Sequence, residues 1–292
     1  MYHFLLSIFY YLAHFIGLIF IFLYTKNIIS FLYSKFLRIR KDFINIYGKD
    51  TWVLVTGASD GIGKAFCLEF ARIGFNVCLL GRSKLKLELV EDEVKKINPN
   101  IKTQMVIADL SDALEEDLFL KINEQTKNID ISILVNNAGV GNVGKFIDLT
   151  VDKLKEMVVV NSYAPMMMMK NVIPKMLSRP KRSAIINVAS VAAILPCSNW
   201  VTYSASKAFL DHLTRSLALE CSLNPDNNKI DLMSLRPCWV STKMVGYKKV
   251  EKLTITPKDC VNGCLNDLGY ETFTAGSWKH ALDTFLKIKN LI

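Results

Sequence analysis

The sequence predicts an α/β fold: a single doubly wound parallel sheet, preceded by an N-terminal transmembrane helix. Three observations predict it. Short runs rich in Val, Ile and Leu alternate with amphipathic stretches from residue 51 onward, as strands covered on both faces by helices require. A glycine-rich turn follows the first of these runs, and an uncharged apolar run opens the chain.

Residues 4–24 carry no Asp, Glu, Lys or Arg. As a helix they would reach about 31 Å, against a hydrocarbon core of ~30 Å. A signal peptide is the competing reading, but no basic residue precedes the run and no small-residue cleavage site follows it. Lys26, Lys35, Arg38, Arg40 and Lys41 all follow the run, so the remainder of the chain is expected to face the cytosol. Residues 28–37 are too short and too charged for a second crossing and are expected to lie along the interface or against the domain. The expected organisation is an anchor and juxtamembrane segment over 1–47 and a catalytic domain over 48–292.

The 292 residues include 36 Lys or Arg and 27 Asp or Glu, a net charge of +9. No basic-aromatic interleaving accompanies that charge, so nucleic acid is not an expected partner and a surface beside anionic membrane is. The seven cysteines are odd in number and dispersed, and the four histidines lack ligand spacing. Neither a disulfide framework nor a metal site is expected.

Candidate strands span 52–56, 76–80, 103–107, 131–135, 183–188 and 231–235. Candidate helices span 63–72, 85–97, 115–126, 151–177 (kinked or broken by Pro165 and Pro174) and 203–223. Between the first strand and helix lies Thr56-Gly57-Ala58-Ser59-Asp60-Gly61-Ile62-Gly63. Glycines there permit a tight turn and close backbone approach to a pyrophosphate, which the helix N-terminus favours. Three glycines in a loop often mark only a turn, and the strand-loop-helix context is what raises the signal. The second strand ends in Leu80-Gly81-Arg82-Ser83, with no carboxylate to take a ribose 2′-hydroxyl. Arg82 can instead pair with a 2′-phosphate, so NADPH/NADP+ is the expected cofactor, with Ser59 and Lys84 as auxiliary contacts.

Tyr203 and Lys207 lie four residues apart, one helical turn on a shared face. A nearby ammonium favours the phenolate and would lower the tyrosine pKa from ~10 toward the working range. Ser190 closes the fifth strand at its carboxyl end, where ligands of such sheets bind, and can polarise a carbonyl. Asn136-Asn137-Ala138-Gly139 follows the fourth strand and is placed to let a cofactor approach. Asn161 is an unfavourable residue for a helix interior. Its amide is expected to hold a water linking Lys207 to solvent; otherwise the residue marks a kink or is a satisfied core polar group. Leu195, Trp200 and Met244, within 191–202 and 243–265, are expected to line the substrate pocket.

Taken in order, Thr56-Gly57-x-x-x-Gly61-x-Gly63, Asn136-Asn137-Ala138-Gly139, Ser190 and Tyr203-x-x-x-Lys207 resemble the signature of the short-chain dehydrogenase/reductases over residues 50–240. The resemblance implies a Rossmann-type sheet and a tetrad of Asn161, Ser190, Tyr203 and Lys207, with the tyrosine as acid/base. It implies adenine contact at Asp109, carboxamide contact along Val240-Ser241-Thr242, transfer of the 4-pro-S hydride, and dimerisation through 151–177 and 203–223. The anchor, the string 56–65, Gly81-Arg82-Ser83-Lys84-Leu85, Ser241-Thr242-Lys243-Met244 and the C-terminal Trp278-Lys279-His280-Ala281 are similar to one membrane-bound branch. That branch holds the microsomal very-long-chain 3-oxoacyl-CoA reductases and related 17β-hydroxysteroid dehydrogenases. It implies an acyl-CoA or steroid ketone as substrate and a single-pass position in the endoplasmic reticulum. Pro237-Cys238-Trp239 departs from the Pro-Gly common in the wider family. An inactive membrane-tethered nucleotide-binding scaffold is the reading of another class, and such relatives typically lack the Tyr, Lys or Ser retained here.

Overall fold

The computed structural model describes residues 2–224, 228–247, 249–251 and 253–289. It separates into a unit ending at Ile39 and a compact domain beginning at Arg40. In the first unit, α1 (Tyr2–Leu32) runs into a wide π turn, Tyr33–Leu37. Tyr2–Leu37 is long and apolar enough to cross a membrane, with a mean hydropathy of 2.2 over its best window. Residues 28–37 therefore continue the first helix instead of forming a separate stretch. No Pro or Gly interrupts Thr25-Lys26-Asn27, and the Thr25 hydroxyl donates back to the Ile21 carbonyl at 2.7 Å, which leaves nothing to break the helix.

The domain starts earlier than residue 48 because residues 40–47 belong to its core. Arg40 pairs with Glu69 at 2.8 Å and donates to Asn266 at 3.0 Å. Phe43 and Tyr47, on the short helix α2 (Phe43–Tyr47), are buried, and the Tyr47 hydroxyl donates to Asp231 at 2.9 Å.

Seven parallel strands follow: β1 (Trp52–Thr56), β2 (Asn76–Gly81), β3 (Thr103–Ile107), β4 (Ile131–Asn136), β5 (Ser183–Val188), β6 (Ile230–Leu235) and β7 (Phe273–Thr274). Their spatial order is β3-β2-β1-β4-β5-β6-β7. Chain direction across the sheet reverses between β1 and β4, and the crevice at their carboxyl ends is where such sheets bind ligands. Helices α3 (Gly61–Ile73), α4 (Lys84–Ile97) and α9 (Pro257–Asp267) cover one face through Phe66, Phe70, Val94, Cys260 and Val261. Helices α5 (Glu116–Gln125), α6 (Val151–Val158), α7 (Ala164–Leu177) and α8 (Val201–Leu223) follow in chain order. From them Phe119, Met168, Met176 and Cys221 pack into the core on the other face. A last helix, α10 (Trp278–Lys289), follows β7.

The six strands read from sequence are present with ends shifted by at most a residue. The two-residue β7 and helices α9 and α10 were not expected. The 151–177 helix is interrupted by a wide turn at Val159–Tyr163, ending two residues before Pro165. Pro165 follows that turn in a continuous helix, where it cannot donate to an i−4 carbonyl, and Pro174 sits inside α7.

Candidate active site

The crevice is a cleft of about 1100 Å³ above the carboxyl ends of the strands. Its side beneath the glycine loop is set by main chain. Gly57 has φ +63°, and a Cβ there would lie 2.9 Å from the Ala138 Cα. A Cβ on Gly63 would lie 2.3 Å from the Gly57 carbonyl oxygen. The first turn of α3 can therefore come down onto the loop only because residue 63 has no side chain. Asp60 caps α3, accepting from the Gly61 N–H at 2.6 Å, and its other oxygen accepts from the Tyr247 hydroxyl at 2.8 Å. The Thr56 hydroxyl accepts from the Asn137 and Ala138 N–H groups at 2.9 and 3.0 Å, while the Asn137 amide donates to the Thr56 and Gly57 carbonyls. These bonds weld the loops after β1 and β4 across the switch point.

Gly57, Ser59, Asp60, Gly61, Ile62, Arg82, Asp109, Asn137, Ala138, Gly139, Val240 and Thr242 all line the cleft. Gly63 and Asn161 do not, and act by packing and hydrogen bonding. At the end of β2, Arg82 stands 3.4 Å from Asp109, whose carboxyl group is held below its usual pKa by hydrogen bonds from Ser111 and by the Arg82 charge, against desolvation. Lys84 turns to Glu88 along its own helix, 3.8 Å away. Beside Arg82 the cleft is lined by Lys86, which sequence reading missed. Residue 86 shares the opening turn of α4 with Lys84 and differs only in helical phase.

On the catalytic side, Ser190 lies directly after β5 and caps a short 3₁₀ turn. Its oxygen accepts from the Ala192 N–H at 3.1 Å, leaving its O–H to donate to the Tyr203 phenol. Burial raises the Tyr203 pKa, and the Ser190 hydrogen bond offsets part of that rise. The expectation that the Lys207 ammonium governs the phenol is thus corrected. Lys207 Nζ lies 5.9 Å from the Tyr203 ring centroid and donates to the Val188 carbonyl at 2.7 Å, and burial lowers its own pKa to about 8.

Asn161 occupies the wide turn between α6 and α7 and is fully buried. Its amide oxygen accepts from the Val140 N–H at 2.9 Å. Its amide nitrogen donates to the Val140 carbonyl at 2.9 Å and to Ser206 at 3.1 Å. The expected role of holding a water is replaced by a clamp on the loop after β4. A Cβ on Gly139 would lie 3.2 Å from the Asn161 amide oxygen and 3.3 Å from Lys207 Nζ, so this clamp and the lysine share one crowded corner.

Leu195, Trp200 and Met244 line the cleft beside Tyr203. The Trp200 and Tyr203 rings meet edge-on at 5.2 Å, and a Cβ on Gly141 would lie 3.0 Å from Trp200 and 3.7 Å from the Met244 sulfur. Among the described residues of the 243–265 stretch, Lys243, Met244 and Val245 line the cleft. The later part of that stretch forms α9, whose Cys260, Val261, Cys264 and Leu265 are core.

A family model described as short chain dehydrogenase matches residues 51–252. The chain belongs to that family. It is an oxidoreductase acting on CH–OH and C=O groups, and the family binds a nicotinamide cofactor. A very-long-chain 3-oxoacyl-CoA reductase of Coccidioides immitis is 35% identical over 260 residues, covering 86% of this chain and 73% of that one. An inactive hydroxysteroid dehydrogenase-like protein 1 of Homo sapiens is 34% identical over 249 residues, covering 83% and 72%. Among solved structures, a 7β-hydroxysteroid dehydrogenase matches with a TM-score of 0.75 at 24% identity, covering 86% of this chain and 95% of that one. At that identity the likeness concerns the fold.

Proposed function

We propose that the protein reduces a lipid ketone with NADPH, specifically a 3-oxoacyl-CoA to a 3-hydroxyacyl-CoA, from a single-pass position in the endoplasmic-reticulum membrane with its catalytic domain in the cytosol. The observation that carries the reading is the juxtaposition of the Tyr203 phenol, its Ser190 donor and an apolar wall of Leu195, Trp200 and Met244 in one cleft. Reduced nicotinamide, when bound, supplies hydride to the carbonyl carbon. Tyr203 donates its proton to the carbonyl oxygen, and its burial-raised pKa keeps the phenol protonated at neutral pH, as an acid must be. Ser190 stabilises negative charge on that oxygen or on the phenolate left behind. Lys207 is held upright by the Val188 carbonyl, placed to bind a ribose hydroxyl and replenish the proton. Arg82 and Lys86, with no acid at the end of β2, favour a 2′-phosphate.

The 3-oxoacyl-CoA reductases among the relatives and the long apolar helix support the substrate class. The steroid reading rests on the hydroxysteroid dehydrogenase-like relatives, and an inactive scaffold is suggested by the two of them named inactive. Tyr203, Ser190, Lys207 and Asn161 are all retained here and gathered in one corner, which favours an active enzyme. The deciding experiment is a substrate panel on the purified full chain, with NADPH and NADH in parallel. Long 3-oxoacyl-CoA turnover with NADPH is expected. Turnover of a steroid ketone alone replaces the substrate, and turnover of neither supports the scaffold.

A further inference from the structure

His280 does not itself line the cleft, yet its ring joins both ends of the segment that roofs it. It lies on α10 and is fully buried. Nδ1 stands 3.2 Å from the Cys238 backbone N–H, which can only donate. Nδ1 is therefore the bare nitrogen, and the single ring proton sits on Nε2, 2.8 Å from the Leu253 carbonyl, which can only accept. Burial holds the imidazole pKa below its usual value, in keeping with a neutral ring.

Cys238 begins the excursion that leaves β6, and Leu253 ends it. Just beyond His280 the two stems pair with each other: the Ile255 N–H donates to the Trp239 carbonyl at 3.1 Å and the Ser241 N–H to the Ile255 carbonyl at 2.9 Å. Val240 and Thr242, carried by the outgoing stem, line the cleft. The Thr242 methyl lies 2.8 Å from where a Cβ on Gly61 would be, directly over the phosphate loop. A tilt of this stem therefore moves Thr242 against Gly61.

We propose that His280 is a positioning residue for cofactor binding: its Nδ1, by fixing the Cys238 N–H, sets how Val240 and Thr242 close on the phosphate loop. The inference builds on the cleft's holding a nicotinamide dinucleotide, which the wild-type titration tests separately.

The experiment titrates the full chain in detergent with NADPH alone and compares His280→Ala, His280→Asn and His280→Gln. Asn places an amide oxygen near the Nδ1 position, whereas Gln places an amide N–H near Nε2 and serves only Leu253. The NADPH dissociation constant is expected to rise about tenfold in the Ala and Gln variants and to return within about threefold of wild type in the Asn variant (roughly 1.4 kcal/mol for each tenfold). Loss of packing alone would weaken the smaller Asn at least as much as Gln, so an Asn variant that binds no better than Gln overturns the proposal. So does unchanged affinity in all three. Should His280→Ala fail to fold, the Asn–Gln pair carries the same test. If the wild type binds neither NADPH nor NADH, it is the cofactor assignment that fails.

Discussion

The cofactor side of the cleft is shaped by main chain, and the substrate side by side chains gathered from separate parts of the sequence. Gly57, Gly61 and Gly63 are required by close approaches at 2.9, 2.8 and 2.3 Å, and backbone groups of residues 56, 57, 61, 137 and 138 are bonded by the side chains of Thr56, Asp60 and Asn137. Around Tyr203 the wall is instead Leu195, Trp200, Met244 and Cys238, none of which has a backbone constraint to announce it. The first side should tolerate almost no change in residue size, the second a good deal, and Tyr203, which joins them, should tolerate none.

The largest effect is expected at that join. Tyr203→Phe should lower kcat by about 10³-fold or more, within the usual range for losing a general acid, while NADPH affinity measured by fluorescence stays near wild type. Unchanged turnover would remove Tyr203 from the chemistry. Next comes Gly63→Ala, whose added methyl meets the Gly57 carbonyl at 2.3 Å. It should weaken NADPH and NADH binding together by more than tenfold, and an affinity within twofold of wild type would contradict the close approach. The smallest effect is that of Arg82→Ala at the exposed end of β2. It should raise KM for NADPH roughly tenfold, as loss of a charge-assisted phosphate contact implies, and leave KM for NADH within about twofold. Parallel rises for both cofactors would place Arg82 outside the 2′-phosphate site.

The same contrast explains what sequence reading could reach. Strands β1 to β6 were legible because buried parallel strands are continuous apolar runs, and the glycine loop because a turn between strand and helix has few solutions. Ser190 and Tyr203-x-x-x-Lys207 were legible through strand ends and helical spacing. Helix α9 was not, because its Cys260, Val261, Cys264 and Leu265 are followed within a few residues by glycines that read as loop. Nor was β7, whose two residues carry no period. Lys86 depends on helical phase in the opening turn of α4, and the Asn161 grip on Val140 on a one-residue register change at Val159–Tyr163. The start of the domain at Arg40 depends on partners more than two hundred residues away.

That grip on Val140 has a consequence for how the enzyme can change. Asn161 holds only the main-chain N–H and carbonyl of residue 140, so it is blind to the side chain there, although Val140 itself faces the cleft. Gly139 and Gly141 on either side have no such freedom, hemmed in by Lys207 and by Trp200. Residue 140 is thus a position where mutation can retune substrate shape while the scaffold of the proton donor stays in place, one evolvable site enclosed by two that are locked.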